Sequence, residues 1–139
     1  MRKTTLLITL LLFIFSANAQ SIVGKWKTID DETGEEKSIV EIYKKGDKYF
    51  GKIIDILNPE KKKKNCIKCS DYRKDQPVLG MEIIKDLKQD DNEFEDGTIL
   101  DPENGKIYDC KIWLKDKNTL NVRGYVMFFY RTQEWIRVN

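Results

Sequence analysis

Histidine is absent from this sequence. Its absence excludes Ser-His-Asp and Cys-His nucleophile systems and every zinc site built on imidazole ligands. Acid–base chemistry would fall to carboxylates, Lys or Tyr. Cysteine is scarce, three in 139 residues, too few for the four Cys or His ligands of a structural zinc ion. Net charge is lacking as well. Two of the 25 basic residues, Arg2 and Lys3, lie in the amino-terminal segment, whereas all 23 acidic residues lie beyond residue 19. Without that segment the chain carries equal charge of both signs, so nothing in its balance favours nucleic acid or an anionic membrane. There is no long amphipathic helical pattern and no internal repeat. No catalytic motif is recognisable, and no enzymatic activity, cofactor or metal is expected.

What is present begins with a leader. Arg2 and Lys3 form a positive start, Leu6 to Phe15 is apolar except for Thr9, and Ala17-Asn-Ala19 supplies a small-x-small cleavage pattern. This predicts a signal peptide over residues 1–19, a mature chain from Gln20, and export to the periplasm or the medium. An uncleaved anchor is the alternative, but an apolar run of about ten residues is half of what spans a bilayer. No cysteine follows the cleavage site to carry a lipid. Residues 20–139 suffice for one domain with its own core.

The stretch Asp101-Pro-Glu-Asn-Gly-Lys-Ile-Tyr108 packs two turn signals into five residues. Behind it, Lys106 to Lys115, Thr119 to Val126 and Arg131 to Val138 read as strands of an antiparallel meander. Tyr108, Cys110, Ile112 and Leu114 alternate with Asp109, Lys111, Trp113 and Lys115, and Leu120, Val122, Gly124 and Val126 alternate with polar neighbours. One apolar face per strand suits a single sheet curled around a core. Upstream, Ser21 to Asp30, Lys37 to Lys45 and Lys48 to Leu57 read as strands, joined by Asp30–Gly34 and Gly46-Asp47. Residues 58–77 form one long connection carrying Lys61 to Lys64, a run read as a solvated charged face. Val78 to Lys88 reads as a strand or short helix; Gln89 to Asn92 is a loop, and Glu93–Glu95 and Gly97–Asp101 are short strands. The expectation is an all-β, small antiparallel up-and-down barrel of about eight strands.

The last strand has no clean apolar face. Arg131, Gln133, Trp135 and Arg137 share one side, so an inward Trp135 takes two guanidinium groups with it. Each then needs an acidic partner, water or a ligand head group; Asp55 and Asp101 are candidate partners. Arg131, Gln133, Trp135 and Arg137 are therefore the candidate ligand-binding residues.

In order along the chain, Gly24-x-Trp26, Gly51-x-Ile53, Cys66-x-x-Cys69, Pro77-x-x-Gly80, Asp101-Pro-x-x-Gly-Lys-x-Tyr108, Leu120-x-Val-Arg-Gly-Tyr125 and Arg131-Thr-Gln-x-Trp-x-Arg137 resemble domain-of-unknown-function family 2147. The resemblance implies an exported bacterial protein with a lipocalin-like barrel, and no particular reaction. The chain departs from that pattern at Val126-Met-Phe-Phe-Tyr130, where further glycines are expected, and at Cys110, an added cysteine. More distantly, Gly-x-Trp on the first strand with Arg on the last resembles the lipocalin and fatty-acid-binding barrels. That resemblance implies that Trp26 packs at the closed end beneath Arg137, or Arg131, as barrel closure or as a ligand contact.

Cys66 and Cys69 in an exported chain suggest a disulfide, with a redox motif or a metal ligand pair as alternatives. Cys110, on the apolar face of its strand, reads as a buried hydrophobe. Asp96, Asp101, Glu103 and Asn104 bring oxygen donors to one turn, but local backbone bonding explains them without calcium. Two functional readings stand side by side. An eight-strand barrel is just wide enough for one small amphiphilic or apolar ligand; alternatively, Trp26, Tyr108 and Trp135 fill the interior, and the protein is an envelope interaction or stress protein acting through its surface.

Overall fold

The computed structural model describes residues 21–139; the expected leader, residues 1–19, lies outside the described residues. Period-two alternation and tight turns produce eight antiparallel strands: β1 (Gly24–Ile29), β2 (Glu36–Lys45), β3 (Lys48–Ile56), β4 (Glu82–Asp90), β5 (Glu93–Asp101), β6 (Lys106–Asp116), β7 (Thr119–Val126) and β8 (Phe129–Val138). They close in sequential order, β1 pairing with both β2 and β8, which leaves no unpaired sheet edge. The turns β2–β3, β4–β5 and β6–β7 gather at one end, the base, and the other four connections at the rim.

β4 and β5 depart from expectation. Val78–Met81 belongs to the long connection, and β4 runs through Gln89 to Asp90. Glu93–Glu95 and Gly97–Asp101 are one strand, interrupted where the register against β6 shifts between Phe94 and Gly97. Asp96 there has φ +62°, the backbone signature of an extra residue inserted into a ladder.

The interior is packed. Ile22, Trp26, Val40, Ile42, Ile84, Leu87, Ile112 and Leu120 are fully buried, with Tyr49, Phe94 and Trp135 nearly so. Glycines on the inner face leave no void. A Cβ added at Gly51 would lie 3.0 Å from Ile84 and 3.2 Å from Val40. One added at Gly124 would lie 3.3 Å from Tyr108.

The long connection is fastened down rather than loose. Gly80 N–H donates to the Ile53 carbonyl, Ile53 N–H to Met81, and Cys66 N–H to Gln76. Cys66 and Cys69 are joined by a disulfide with their Cα atoms 5.4 Å apart, and both belong to the main core cluster. Arg73, only 4% exposed, forks onto the Asp71 carboxylate and donates to the Glu82 carbonyl on β4. The Asp101–Gly105 turn presses on the same segment. Gly105 has φ +73°, and a Cβ there would sit 1.9 Å from the Lys68 carbonyl oxygen, so only glycine fits.

Candidate functional site at the two ends of the barrel

At the base, Trp26 sits on β1 directly opposite Arg137 on β8. The Arg137 guanidinium lies 4.2 Å from the Trp26 ring centroid. Its nitrogens donate to the carbonyls of Lys117 (2.8 Å), Ser21 (2.9 Å) and Val23 (3.3 Å), and the Trp26 indole N–H donates to Ile22 (2.8 Å). Arg137 is therefore compensated by backbone oxygens and an aromatic face rather than by Asp55 or Asp101. Asp55 faces Lys62, and Asp101 accepts from the Glu103 backbone within its own turn.

At the rim, Arg131 makes a bidentate pair with Asp31, at 2.5 and 3.2 Å, and Gln133 donates to the same carboxylate. Gln133 in turn accepts from the Trp135 indole N–H at 3.1 Å. The four residues proposed from the last strand are thus split. Arg131 and Gln133 line the rim, Trp135 is buried below them, and Arg137 is at the opposite end. The Arg131 fork holds the Asp31 carboxyl below its usual range, and Asp31 raises Arg131 in return. Asp30, accepting from the Thr33 backbone, is lowered to about 2. Lys37 loses from burial, but bonds to Glu103 and Asp30 outweigh this and raise its pKa. Lys61 completes that cluster through Glu103, so part of the lysine run is engaged with acids. Beneath the charged rim, Thr28 and Ser38 share a hydrogen bond of 2.8 Å, and Tyr108 is half-buried.

Two shallow, open depressions lie on the surface. One, of about 510 Å³, lies over β5, β6 and β7 beside Glu95, Asp109, Lys111 and Tyr125. The other, of about 390 Å³, sits beside Tyr72, Leu79 and Glu82 along the long connection.

The departure at Val126–Tyr130 forms the β7–β8 hairpin, to which the sequence assigned no role. Val126 pairs with Phe129, leaving a two-residue turn in which Met127 adopts φ +54°. Met127, Phe128, Phe129 and Tyr130 are 87, 94, 79 and 60% exposed, with Val126 at 45%. Five consecutive apolar or aromatic residues at a hairpin tip have no role in packing the core. Below them Arg123 stacks on Trp113, Tyr125 and Tyr130, at 4.8, 6.0 and 4.3 Å from carbon Cζ to ring centroid, and donates to Thr132.

A closed eight-strand antiparallel barrel of sequentially paired strands is lipocalin-like in architecture. A solved structure shares that fold: protein HP1028 from the human pathogen Helicobacter pylori, described as belonging to the lipocalin family. It is 17% identical, with a TM-score of 0.74 over 86% of this chain and 84% of that one. Residues 24–137 match the family model described as uncharacterized protein conserved in bacteria, domain-of-unknown-function family 2147, and the chain belongs to that family. No curated protein matches the sequence. Among the described residues, no helix is long and apolar enough to cross a membrane.

Proposed function

We propose that this is an exported lipocalin-like barrel, carried by its leader to the periplasm or the medium, that acts through its rim and not by carrying a ligand in its lumen. The observation that supports this reading most is the filled interior. At Gly51 even one added methyl group would crowd Ile84 and Val40, and interiors this close-packed leave no room for a guest. Both guanidinium groups that a ligand head group would have neutralised already have protein partners.

A second reading keeps a small amphiphilic ligand at the rim. It rests on the exposure of Arg131, whose side chain is 57% accessible above the buried Thr28 and the half-buried Ser38, Tyr108 and Gln133. An acid there would have to displace Asp31. Native mass spectrometry of protein purified from its own envelope separates the two. The expected result is the bare polypeptide mass. A stoichiometric small molecule that is lost in Arg131→Gln would instead establish the rim as a ligand site.

A further inference from the structure

We propose that the β7–β8 hairpin tip is a lipid-inserting wedge, and that the partner at the rim is a bilayer surface. This rests on the reading that the protein acts through its rim and names what the rim meets. The argument begins with shape. The apolar residues cap a single two-residue turn, with Val126 opposite Phe129 and Tyr125 opposite Tyr130. A narrow, convex tip presents little flat area for a protein partner, whereas hydrocarbon accommodates any convex apolar shape.

Chemistry is layered along the hairpin in the order that a bilayer interface requires. Met127 and Phe128 come first, 87 and 94% exposed, then Val126 and Phe129. The Tyr125–Tyr130 pair follows, its rings 5.9 Å apart, and Arg123 lies two residues further down, stacked on both tyrosines. At about 3.4 Å per residue, the tip stands about 7 Å beyond the tyrosine row. That is the depth to which interfacial elements bury their apolar groups. Tyrosines favour the headgroup level, where one end is apolar and the other wet. Arg123 then falls at phosphate level. Among the described residues no carboxylate lies within salt-bridge distance of it, in contrast to Arg131 and Arg73, so its charge is complementary to a lipid phosphate. The nearby acids are already occupied in part: Asp31 is held by Arg131, which also reaches Glu32. With those acids beside it, the wedge should be driven by apolar insertion and not by anionic lipid.

The test is vesicle flotation with the full mature chain, using phosphatidylcholine vesicles with and without phosphatidylglycerol. Wild type should float with both, and binding should persist at about 0.5 M salt, where surface electrostatics are screened. Phe128→Ser combined with Phe129→Ser should lower the partition coefficient at least about tenfold. Its thermal transition should stay unchanged, since both residues are nearly free of internal contact. Arg123→Gln should weaken binding by a smaller factor. Wild type that stays out of both vesicle types overturns the proposal. So does a concentration-dependent dimer, seen in sedimentation velocity and abolished by the same double substitution, because the tip would then be a protein interface. A ligand found by native mass spectrometry would overturn the ligand-free reading, at the rim if Arg131→Gln loses it and in the lumen if it does not, while leaving flotation to decide the wedge.

Discussion

Replacing Arg137 tests whether the base of the barrel is sealed by one side chain. The guanidinium bonds three carbonyls, those of Lys117, Ser21 and Val23, and covers the Trp26 ring at 4.2 Å. Stacking at a half-exposed site contributes about 1 kcal/mol. Each hydrogen bond contributes about 0.5–1 kcal/mol net, less than is usual for a charged donor, because water can replace it at this boundary. Arg137→Ala should therefore destabilise the domain by about 2.5–4 kcal/mol. For a domain of this size that is a fall in Tm of about 10–15 °C. Arg137→Lys keeps the charge but not the planar fork, and should recover less than half of the loss. Arg131→Ala is the internal control. It removes a pair whose arginine is more than half exposed, and such pairs contribute about 0–1 kcal/mol. Urea unfolding followed by Trp fluorescence would give all three values. If Arg137→Ala and Arg131→Ala fell within about 0.5 kcal/mol of each other, the seal would carry no special weight and the reasoning from bonds and stacking would fail.

Other expectations follow from the same contacts. Gly51→Val should cost about 1–3 kcal/mol by overpacking against Ile84 and Val40; a neutral substitution would mean that the lumen has spare room. Cys110 is buried and its thiol is pushed up by burial, so mass spectrometry after alkylation should find no modified cysteine in the folded protein and one after unfolding without reductant. Rapid labelling in the folded state would contradict its inward placement. Tyr43 is half-buried and donates to Glu82; partial desolvation and that bond together push it up to about 12 from the ordinary value of 10.0. Because the folded value is the higher, this stabilisation is complete below pH 10 and is lost as pH rises towards 12. Tyrosinate absorbance should show one late-titrating group, and Glu82→Gln should bring it earlier; a single titration near the ordinary value would refute the placement.

The meander was legible because alternation and turn chemistry agree there. β7 spans Thr119–Val126 as read from the pattern, and Tyr108, Cys110 and Ile112 turn to the inner face as their spacing requires. β5 was misread as two pieces because a one-residue bulge at Asp96 breaks the period-two pattern without breaking the strand. The partner of Arg131 was illegible for a different reason. Asp31 is 100 positions away, in a turn that meets β8 only because the barrel closes, and closure register leaves no local trace. Arg73 was missed because its burial is created by the fold of the long connection, and Asp71-Tyr-Arg73 alone looks like exposed polar chain. The hairpin tip was visible as an apolar run, but whether it was core or surface depended on the turn placement, which the missing glycines obscured.

The seam between β1 and β8 is joined by only three residue pairs, Lys25–Val138, Trp26–Arg137 and Lys27–Ile136. The other seven pairings join sequence neighbours; six are local hairpins and β3–β4 spans the long connection, while this junction must bring together residues about 110 positions apart. Loop-closure entropy makes such a contact slow to form, and the barrel should fold as an open curled sheet that shuts last. The same geometry sets the domain's first and last strands side by side. Joining them with a short linker, and opening the chain instead at the Gly46-Asp47 turn, would make this seam a local hairpin and pass the long-range closure to β2 and β3, which meet through eight residue pairs instead of three.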